Sequence, residues 1–189
     1  MNRMHDFFLV IDLEATCDEN HRIPRAETEI IEIGAVLVDA GSLEPVDEHQ
    51  TFVRPVRHRI LTPFCTQLTS IRQEDVADAP LFTEAISGLG RWLAGRRALF
   101  CSWGEYDKNQ LGREAQVNGV RLPFGAEHLN VKRRFSEALG ETKGYGMGSA
   151  LRRVGLPLVG THHRGIDDAR NIARLLRWVL ERQGSTEPR

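Results

Sequence analysis

The order of apolar and polar positions predicts strands first and alternating strands and helices later. Residues 7–13 form an apolar run rich in strand-forming side chains, which is typical of a central strand buried on both faces. A second strand is predicted at residues 30–38, where Glu32 interrupts the apolar run, and a third at residues 51–56. Residues 39–47, which contain glycine and proline, are predicted to form a hairpin connection between them.

Beyond residue 80 the pattern alternates between short strands and helices. Short strands are expected at residues 98–101 and 128–132. The helical spacing of apolar residues predicts helices at residues 81–93, 106–117, 133–139, 149–154 and 167–182. This order predicts an α/β fold of the ribonuclease H-like type, with a mixed five-stranded sheet flanked by helices.

A flavodoxin-like or Rossmann sheet is the main alternative fold. It would need a glycine-rich turn after the first strand, and residues 14–17 (EATC) do not supply one. The glycines of residues 144–148 lie late in the chain and are not followed by Lys-Ser or Lys-Thr. They therefore indicate a loop and a helix start and not a phosphate-binding loop.

Composition limits the class of protein. The chain has 189 residues, of which 41% are hydrophobic, and a formal net charge of -1, so no global basic field indicates a nucleic-acid partner. Three cysteines without a CxxC motif predict free thiols in a reducing, cytoplasmic setting, and no segment is long enough to span a membrane. We expect a single domain over residues 1–183 and a frayed tail over residues 184–189.

Two carboxylates end the first predicted strand. Asp12 and Glu14 are two residues apart on a strand, so their side chains should point to the same face of the sheet. Two carboxylates in one place repel each other unless a cation lies between them. The preceding apolar run indicates that the pair emerges at an edge of the sheet. A strand end that runs into solvent is the alternative.

The last predicted helix begins with two aspartates, and its periodicity separates them. Asp168 shares a face with the apolar residues of the helix, whereas Asp167 shares a face with polar ones. Asp168 should therefore face the sheet and Asp167 the solvent or the helix cap. His163 precedes this helix by a short turn. Near a metal cluster, a mostly neutral imidazole can accept a proton from water, although a solvated loop histidine is the alternative.

Asp107 begins a predicted helix after a buried strand, where an aspartate often serves only the helix N-terminus. Spacing alone does not favour it over Glu105. Together the acids form an oxygen-rich set without cysteine, which suits Mg²⁺ or Mn²⁺ better than Zn²⁺. Two such ions about 4 Å apart can activate water and stabilise a leaving oxygen in phosphodiester cleavage.

The spacing of these residues resembles that of the DEDDh 3′→5′ exonucleases. The surrounding sequence is most similar to the Eri-type branch, which includes the histone-mRNA 3′ exonuclease and bacterial KapD-like proteins. Five stretches carry the resemblance: residues 12–17 (DLEATC), 29–34 (EIIEIG), 64–71 (FCTQLTSI), 102–108 (SWGEYDK) and 161–173 (THHRGIDDARNIA). One departure is Ser70, where glycine is commoner in the family.

The resemblance implies a role for each site residue. It implies that two divalent cations, Mg²⁺ with Mn²⁺ able to substitute, are held by a set of four acids: Asp12, Glu14, Asp107 and Asp168. His163 would be the general base, and hydrolysis from a free 3′ end would release nucleoside 5′-monophosphates. The terminal nucleotide would contact Glu14, the backbone of Ala15, Tyr106 and His163. Tyr106 would stack on a base, with ordinary packing as the alternative.

The expected partner is the 3′ end of single-stranded RNA or DNA, with RNA favoured and no membrane involved. Basic stretches at residues 54–59, 132–134 and 152–153 are candidates for contacts to the trailing phosphates. Two alternatives stay open: a DNA exonuclease of proofreading or repair type, and a catalytically idle regulatory module that binds nucleic acid. The presence of all five site residues speaks against the idle module. Oligomeric state does not follow from the sequence.

Overall fold

A mixed sheet of five strands forms the centre of the computed structural model, which describes residues 5–20 and 22–184. The strands are β1 (Phe7–Ala15), β2 (Ile30–Asp39), β3 (Pro45–Phe52), β4 (Ala98–Ser102) and β5 (His128–Asn130). Their order across the sheet is β3-β2-β1-β4-β5. β1 pairs antiparallel with β2 and parallel with β4, so the first strand is central and the predicted mixed sheet is confirmed.

Helices cover both faces of this sheet. They are α1 (Pro63–Thr69), α2 (Gln73–Ala77), α3 (Phe82–Leu93), α4 (Tyr106–Val117), α5 (Val131–Ala138), α6 (Met147–Arg153) and α7 (Gly165–Gly184). On one face, Leu9 and Ile11 of β1 pack with residues of α3 and α4. On the other face, Val10 packs with residues of α5, α6 and α7. None of the helices in the described part of the chain has the length and apolar character that a bilayer crossing requires.

The third strand lies earlier in the chain than the pattern predicts. β3 pairs with β2 from Pro45 to Phe52, so the predicted strand at residues 51–56 is wrong beyond Phe52, and the hairpin connection ends before Pro45. β3 is an edge strand with mostly polar, partly exposed side chains, and it lacks the apolar signal of an interior strand. After it, the carboxylate of Glu29 accepts the backbone N–H groups of residues 56–58, which turns the chain.

Two short helices were not predicted. α1 and α2 have only 7 and 5 residues, which is too short for a clear helical period. α1 is fixed by its cap: the Thr62 hydroxyl accepts the N–H of Cys65, and Pro63 follows the cap. α1 ends at Thr69, and Ser70 caps it with a left-handed φ of 61°, which explains why glycine is the commoner residue at this position.

The other predicted elements are present with ends shifted by a few residues. The strand predicted at residues 128–132 ends at Asn130, whose side chain accepts the N–H of Arg133 and caps α5. α6 and α7 each begin two residues earlier than predicted. α7 includes Gly184, and residues 185–189 of the predicted tail lie outside the described residues.

A contact between two glycines brings α7 against the sheet. A Cβ atom at Gly34 of β2 would lie 2.1 Å from the backbone carbon of Gly165, at the start of α7. A Cβ atom at Gly165 would in turn lie 3.1 Å from the backbone oxygen of Asp12. Only residues without a side chain permit this approach, and it places the first turn of α7 beside the end of β1.

We expect Gly34→Ala to lower the free energy of unfolding by about 3 kcal/mol or more, because the new methyl group meets backbone atoms that cannot rotate away. Urea denaturation would measure the change. Gly88→Ala in α3 is the control, since its Cβ would meet only the tip of Arg91, at 3.8 Å. That variant should gain about 0.5–1 kcal/mol from helix propensity. Equal stability of the two variants would contradict the close contact.

Candidate active site

The end of β1 supplies two carboxylates to the face of the sheet that α7 covers. Strand alternation places Asp12 and Glu14 on the same side as Val10, which packs against α7. Asp12 is paired with Gly34 and Glu14 with Glu32 across the antiparallel ladder. Glu14 is buried and Asp12 is partly buried, so both lie where the apolar strand meets a cleft.

The first turn of α7 separates its two aspartates as its periodicity predicts. Asp168 is 4% exposed and faces the sheet. Asp167 instead accepts the backbone N–H of Thr161 at 2.9 Å and pairs with Arg170 at 2.8 Å. Asp167 therefore stabilises the start of α7 and forms a surface ion pair. Of the two aspartates, only Asp168 is available to the cleft.

His163 lies on the turn before α7, in an unusual backbone conformation. Its φ is 64°, in the left-handed region that residues with a side chain rarely adopt. Its backbone N–H donates to Asp168 Oδ2 at 3.0 Å. Burial lowers the pKa of His163 below its ordinary value, and neighbouring His162 lowers it further, while Asp168 opposes them. The imidazole is therefore held in its neutral form.

α4 brings two further residues to the same place. Asp107 is buried, and its Oδ1 accepts the backbone N–H of Leu13 at 3.2 Å, between the two carboxylates of β1. The ring of Tyr106 lies beneath the guanidinium of Arg25, 5.5 Å from its centroid. Burial raises the pKa of Tyr106 to about 12, so its hydroxyl stays protonated.

All seven predicted site residues line one cleft of about 420 Å³. They are Asp12, Glu14, Ala15, Tyr106, Asp107, His163 and Asp168. Three of them, Asp12, Glu14 and Asp168, each place a carboxylate oxygen within 4.8 Å of the others. Asp107 lines the cleft next to this group without being part of it. Residues from opposite ends of the sequence thus meet in a single site.

The electrostatics of the cleft favour a cation. Burial, followed by the neighbouring acids, raises the pKa of Asp12 well above its ordinary value and that of Glu14 to about 9. Burial also raises the pKa of Asp107 to about 7 and raises that of Asp168. Carboxylates this crowded are costly as anions unless a positive ion compensates them. A set of carboxylate oxygens fits a hard divalent cation.

Two cleft residues with polar groups were not identified from the sequence. His162 places Nδ1 2.9 Å from Asp168 Oδ2, and its ring stacks on that of His163 with centroids 4.0 Å apart. Trp103 lines the cleft while its Nε1 donates to the backbone oxygen of Tyr145 at 3.0 Å. Trp103 lies in the same family-like stretch as Asp107, and this could have identified it from the sequence. His162 lies in a loop, where the periodicity of helices and strands gives no prediction of side-chain direction.

The basic stretches predicted to contact phosphates differ in their surroundings. Exposed Arg57 and Arg59 line a groove of about 790 Å³, together with Arg22 and the acids Asp18 and Glu19. This groove begins beside the active-site cleft, since Asp18 follows Cys17, which lines the cleft. Several cations in the other stretches are already engaged by acids: Arg133 and Arg134 pair with Glu137, and Arg153 pairs with Glu141.

Comparison with known proteins gives relatives along nearly the whole chain. Human ERI1 exoribonuclease 3 is 30% identical over 187 residues, which cover 94% of this chain and 55% of the relative. The chain spans about half the length of the curated relatives it matches. The nuclease domain of 3′hExo, a DEDDh family member bound to rAMP, is 28% identical with a TM-score of 0.84 over 96% of this chain and 94% of that domain.

A 3′-exonuclease solved for its 3′-end-specific recognition of a histone mRNA stem-loop superimposes with a TM-score of 0.85. It is 27% identical, over 95% of this chain and 84% of that chain. These similarities confirm the ribonuclease H-like fold and the resemblance to the DEDDh exonucleases. The model of the family RNase_T, described as exonuclease, matches residues 9–176. The chain therefore belongs to the exonuclease family, whose members use divalent metal ions.

Proposed function

We propose that this chain is a 3′→5′ exonuclease that hydrolyses single-stranded nucleic acid, with RNA favoured, to nucleoside 5′-monophosphates. One observation carries the proposal: oxygens of Asp12, Glu14 and Asp168 meet within 4.8 Å in a cleft that His163 also lines. The preference for RNA is supported by the curated relatives, which include the 3′-5′ exoribonuclease 1 and ERI1 exoribonuclease 3 of humans.

The four acids of the cleft would hold two Mg²⁺ ions, with Mn²⁺ able to substitute. Asp12, Glu14 and Asp168 supply the closest group of oxygens, and Asp107 supplies the neighbouring carboxylate. When bound, two such ions lower the pKa of a water molecule and stabilise the charge on the leaving oxygen. Without them the same carboxylates favour protonation, as their raised pKa values indicate.

His163 would act as the general base. Its lowered pKa leaves the ring neutral at cellular pH, so one ring nitrogen can take a proton from the attacking water. As the water oxygen bonds to phosphorus, the bond from phosphorus to the 3′ oxygen of the preceding nucleotide breaks. The phosphate then stays on the 5′ oxygen of the released nucleotide. The 3′ oxygen takes up a proton from solvent, so the strand keeps a free 3′ hydroxyl for the next cycle.

The terminal nucleotide would contact Glu14, the backbone of Ala15, Tyr106 and His163, which line the cleft together. The aromatic ring of Tyr106 lines the cleft and would stack on the base, and the guanidinium of Arg25 lies over one face of that ring. The groove that contains Arg22, Arg57 and Arg59 would receive the phosphates that precede the terminal nucleotide, because it lies beside the cleft and its three arginines outnumber its two acids.

We further infer that residues 1–183 form one exonuclease domain that works in the cytoplasm. The support for the domain is a single sheet with both faces covered by helices from the same chain. The support for the compartment is the three free cysteines, two of them buried. Alkylation of the thiols in intact cells would show whether they are reduced there.

A time course on 5′-labelled RNA and DNA of identical sequence tests the proposed activity. With Mg²⁺ we expect a ladder that shortens from the 3′ end, faster on RNA, with nucleoside 5′-monophosphates as the only small product. EDTA should abolish it, and a circular strand, which has no 3′ end, should stay intact. If the basic groove holds the trailing strand, KM should fall as the strand lengthens from two to about six nucleotides.

The other outcomes separate the alternatives. Faster digestion of DNA would indicate a DNA exonuclease of repair type, because contacts to the 2′ hydroxyl distinguish the two substrates. Binding of the strand without hydrolysis in Mg²⁺ or Mn²⁺ would indicate a regulatory binding module. Cleavage of the circular strand would show an endonuclease and overturn the proposal.

A further inference from the structure

A fifth carboxylate faces the candidate active site, but it already has partners in the protein. Glu32 of β2 is fully buried and is paired directly with Glu14 on the neighbouring strand. Its Oε2 accepts from Arg164 Nε at 3.1 Å and from the backbone N–H of Gly165 at 2.9 Å. Its Oε1 accepts from Arg164 Nη2 at 3.3 Å and from the side-chain amide of Gln50.

These contacts separate Glu32 from the acids proposed to bind metal. A buried carboxylate needs a counter-charge and donors for its oxygens. The guanidinium of Arg164 supplies the counter-charge in a two-pronged geometry, and three donor groups satisfy both oxygens of Glu32. Glu32 therefore needs no metal ion. Without Arg164, its negative charge would act directly on Asp12 and Glu14, whose pKa values it already raises.

Two of the partners of Glu32, Arg164 and Gly165, directly follow His163 in the chain. His163 lies in the left-handed region, a conformation that persists only where the surroundings fix it. The turn is closed locally by the N–H of Arg164 on the oxygen of Thr161, at 3.2 Å, and by the N–H of Asp168 on the oxygen of Arg164, at 2.8 Å. Glu32 adds bonds that tie residues 164 and 165 to the central sheet, which carries Asp12.

We propose that Glu32 and Arg164 are a positioning pair that holds the His163 turn against the sheet. The proposal rests on the exonuclease function proposed above. Neither residue touches the substrate: Glu32 is buried, and the guanidinium of Arg164 is held by Glu32 and lies over the ring of Phe52, 5.4 Å from its centroid. The pair instead determines the position of the His163 imidazole relative to the attacking water.

The test compares Glu32→Ala, Arg164→Met and the double variant Glu32→Gln/Arg164→Met on a labelled single-stranded RNA in saturating Mg²⁺. Glu32→Ala and Arg164→Met should lower kcat by about 10- to 100-fold, as is usual for residues that orient a catalytic group, with KM changed less than about twofold.

The double variant should recover kcat several-fold over Arg164→Met, because the amide oxygen introduced by Glu32→Gln still accepts the N–H of Gly165 and no unpaired charge is left. Arg177→Met is the matched control and should keep wild-type kcat, because it breaks the ion pairs of Arg177 with Glu44 and Glu181, more than two turns of α7 away from the His163 turn.

Hydrogen exchange supplies a readout that does not need catalysis. The Gly165 amide should exchange at least about tenfold faster in Glu32→Ala, while the amide of Ile172, deep in α7, keeps its protection. Wild-type kcat in Arg164→Met, or a raised KM with unchanged kcat, would overturn the inference, the second by making Arg164 a substrate contact. If the wild-type protein hydrolyses nothing and Gly165 still loses protection, the proposed function fails while the anchoring of the turn stands.

Discussion

Asp12→Asn is expected to abolish exonuclease activity and, in the absence of metal, to stabilise the fold. The substitution removes a carboxylate from the group in which Asp12, Glu14 and Asp168 lie within 4.8 Å of one another. A metal site contributes several kcal/mol to the transition state of phosphodiester cleavage, so its loss should lower kcat by about 1,000-fold or more. Digestion of a 3′-labelled oligonucleotide would measure the change.

The gain in stability follows from the sign of the pKa shift. Burial, and then the charges of Asp107, Glu14, Asp168 and Glu32, raise the pKa of Asp12 well above its ordinary value. A carboxyl whose folded-state pKa is raised stabilises the fold at low pH, and this contribution is lost as pH rises through the folded pKa. At pH 8 in EDTA, the free energy of unfolding of Asp12→Asn should therefore exceed that of wild type, and the difference should shrink as pH falls. Saturating Mg²⁺ should reverse that order, because it stabilises only the protein that binds it.

The two aspartates of α7 provide a matched control for this prediction. Asp168→Asn should lose activity like Asp12→Asn, whereas Asp167→Asn should keep it within a few-fold, since Asp167 faces Thr161 and Arg170. Full activity in both Asp12→Asn and Asp168→Asn would exclude the metal site. Loss of activity in Asp167→Asn alone would show that the periodicity selects the wrong aspartate.

Local periodicity accounts for what could be predicted of the fold and the site. The apolar run of β1 identifies the central strand, and period-two alternation places Asp12 and Glu14 on one face. The apolar stripe of α7 turns Asp168 inward by the same reasoning. These inferences succeed because each depends on residues within one element, where geometry is fixed by the backbone.

Features that depend on contacts distant in sequence could not be predicted. β3 is a strand because it pairs with β2, although its own side chains are polar. Only the family resemblance identifies Asp107, since its side chain accepts the N–H of Leu13, which lies 94 positions away in the sequence. The partnership of Glu32 and Arg164 spans 132 positions, and in the sequence Glu32 only interrupts an apolar run. Tertiary packing determines such contacts, and the hydrophobic periodicity of a single element contains no information about them.

His163→Ala is expected to lower kcat by about 100- to 10,000-fold while leaving the affinity for metal intact. The acids that would hold the ions stay in place, and only the group that accepts the proton of the attacking water is removed. Titration with Mn²⁺ would measure metal binding, and single-turnover digestion of RNA would measure the chemical step. A variant that binds Mn²⁺ and cleaves at the wild-type rate would show that another group is the base.

The dependence of kcat on pH tests the same role without removing the imidazole. A general base must be neutral, so activity falls when pH drops below its pKa. Burial and His162 lower the pKa of His163, and the wild-type enzyme should keep its activity to a lower pH than the ordinary value of about 6.5 for histidine. His162→Ala removes the neighbouring ring that stacks on His163, and in this variant the decline should begin at a higher pH. His162→Ala also removes the contact between His162 Nδ1 and Asp168, which lowers the pKa of that carboxylate. The same substitution is therefore made in the His163→Ala background, and a shift of the acidic limb that occurs only where His163 is present would assign the titration to the imidazole, whereas an equal shift in both backgrounds would assign it to Asp168.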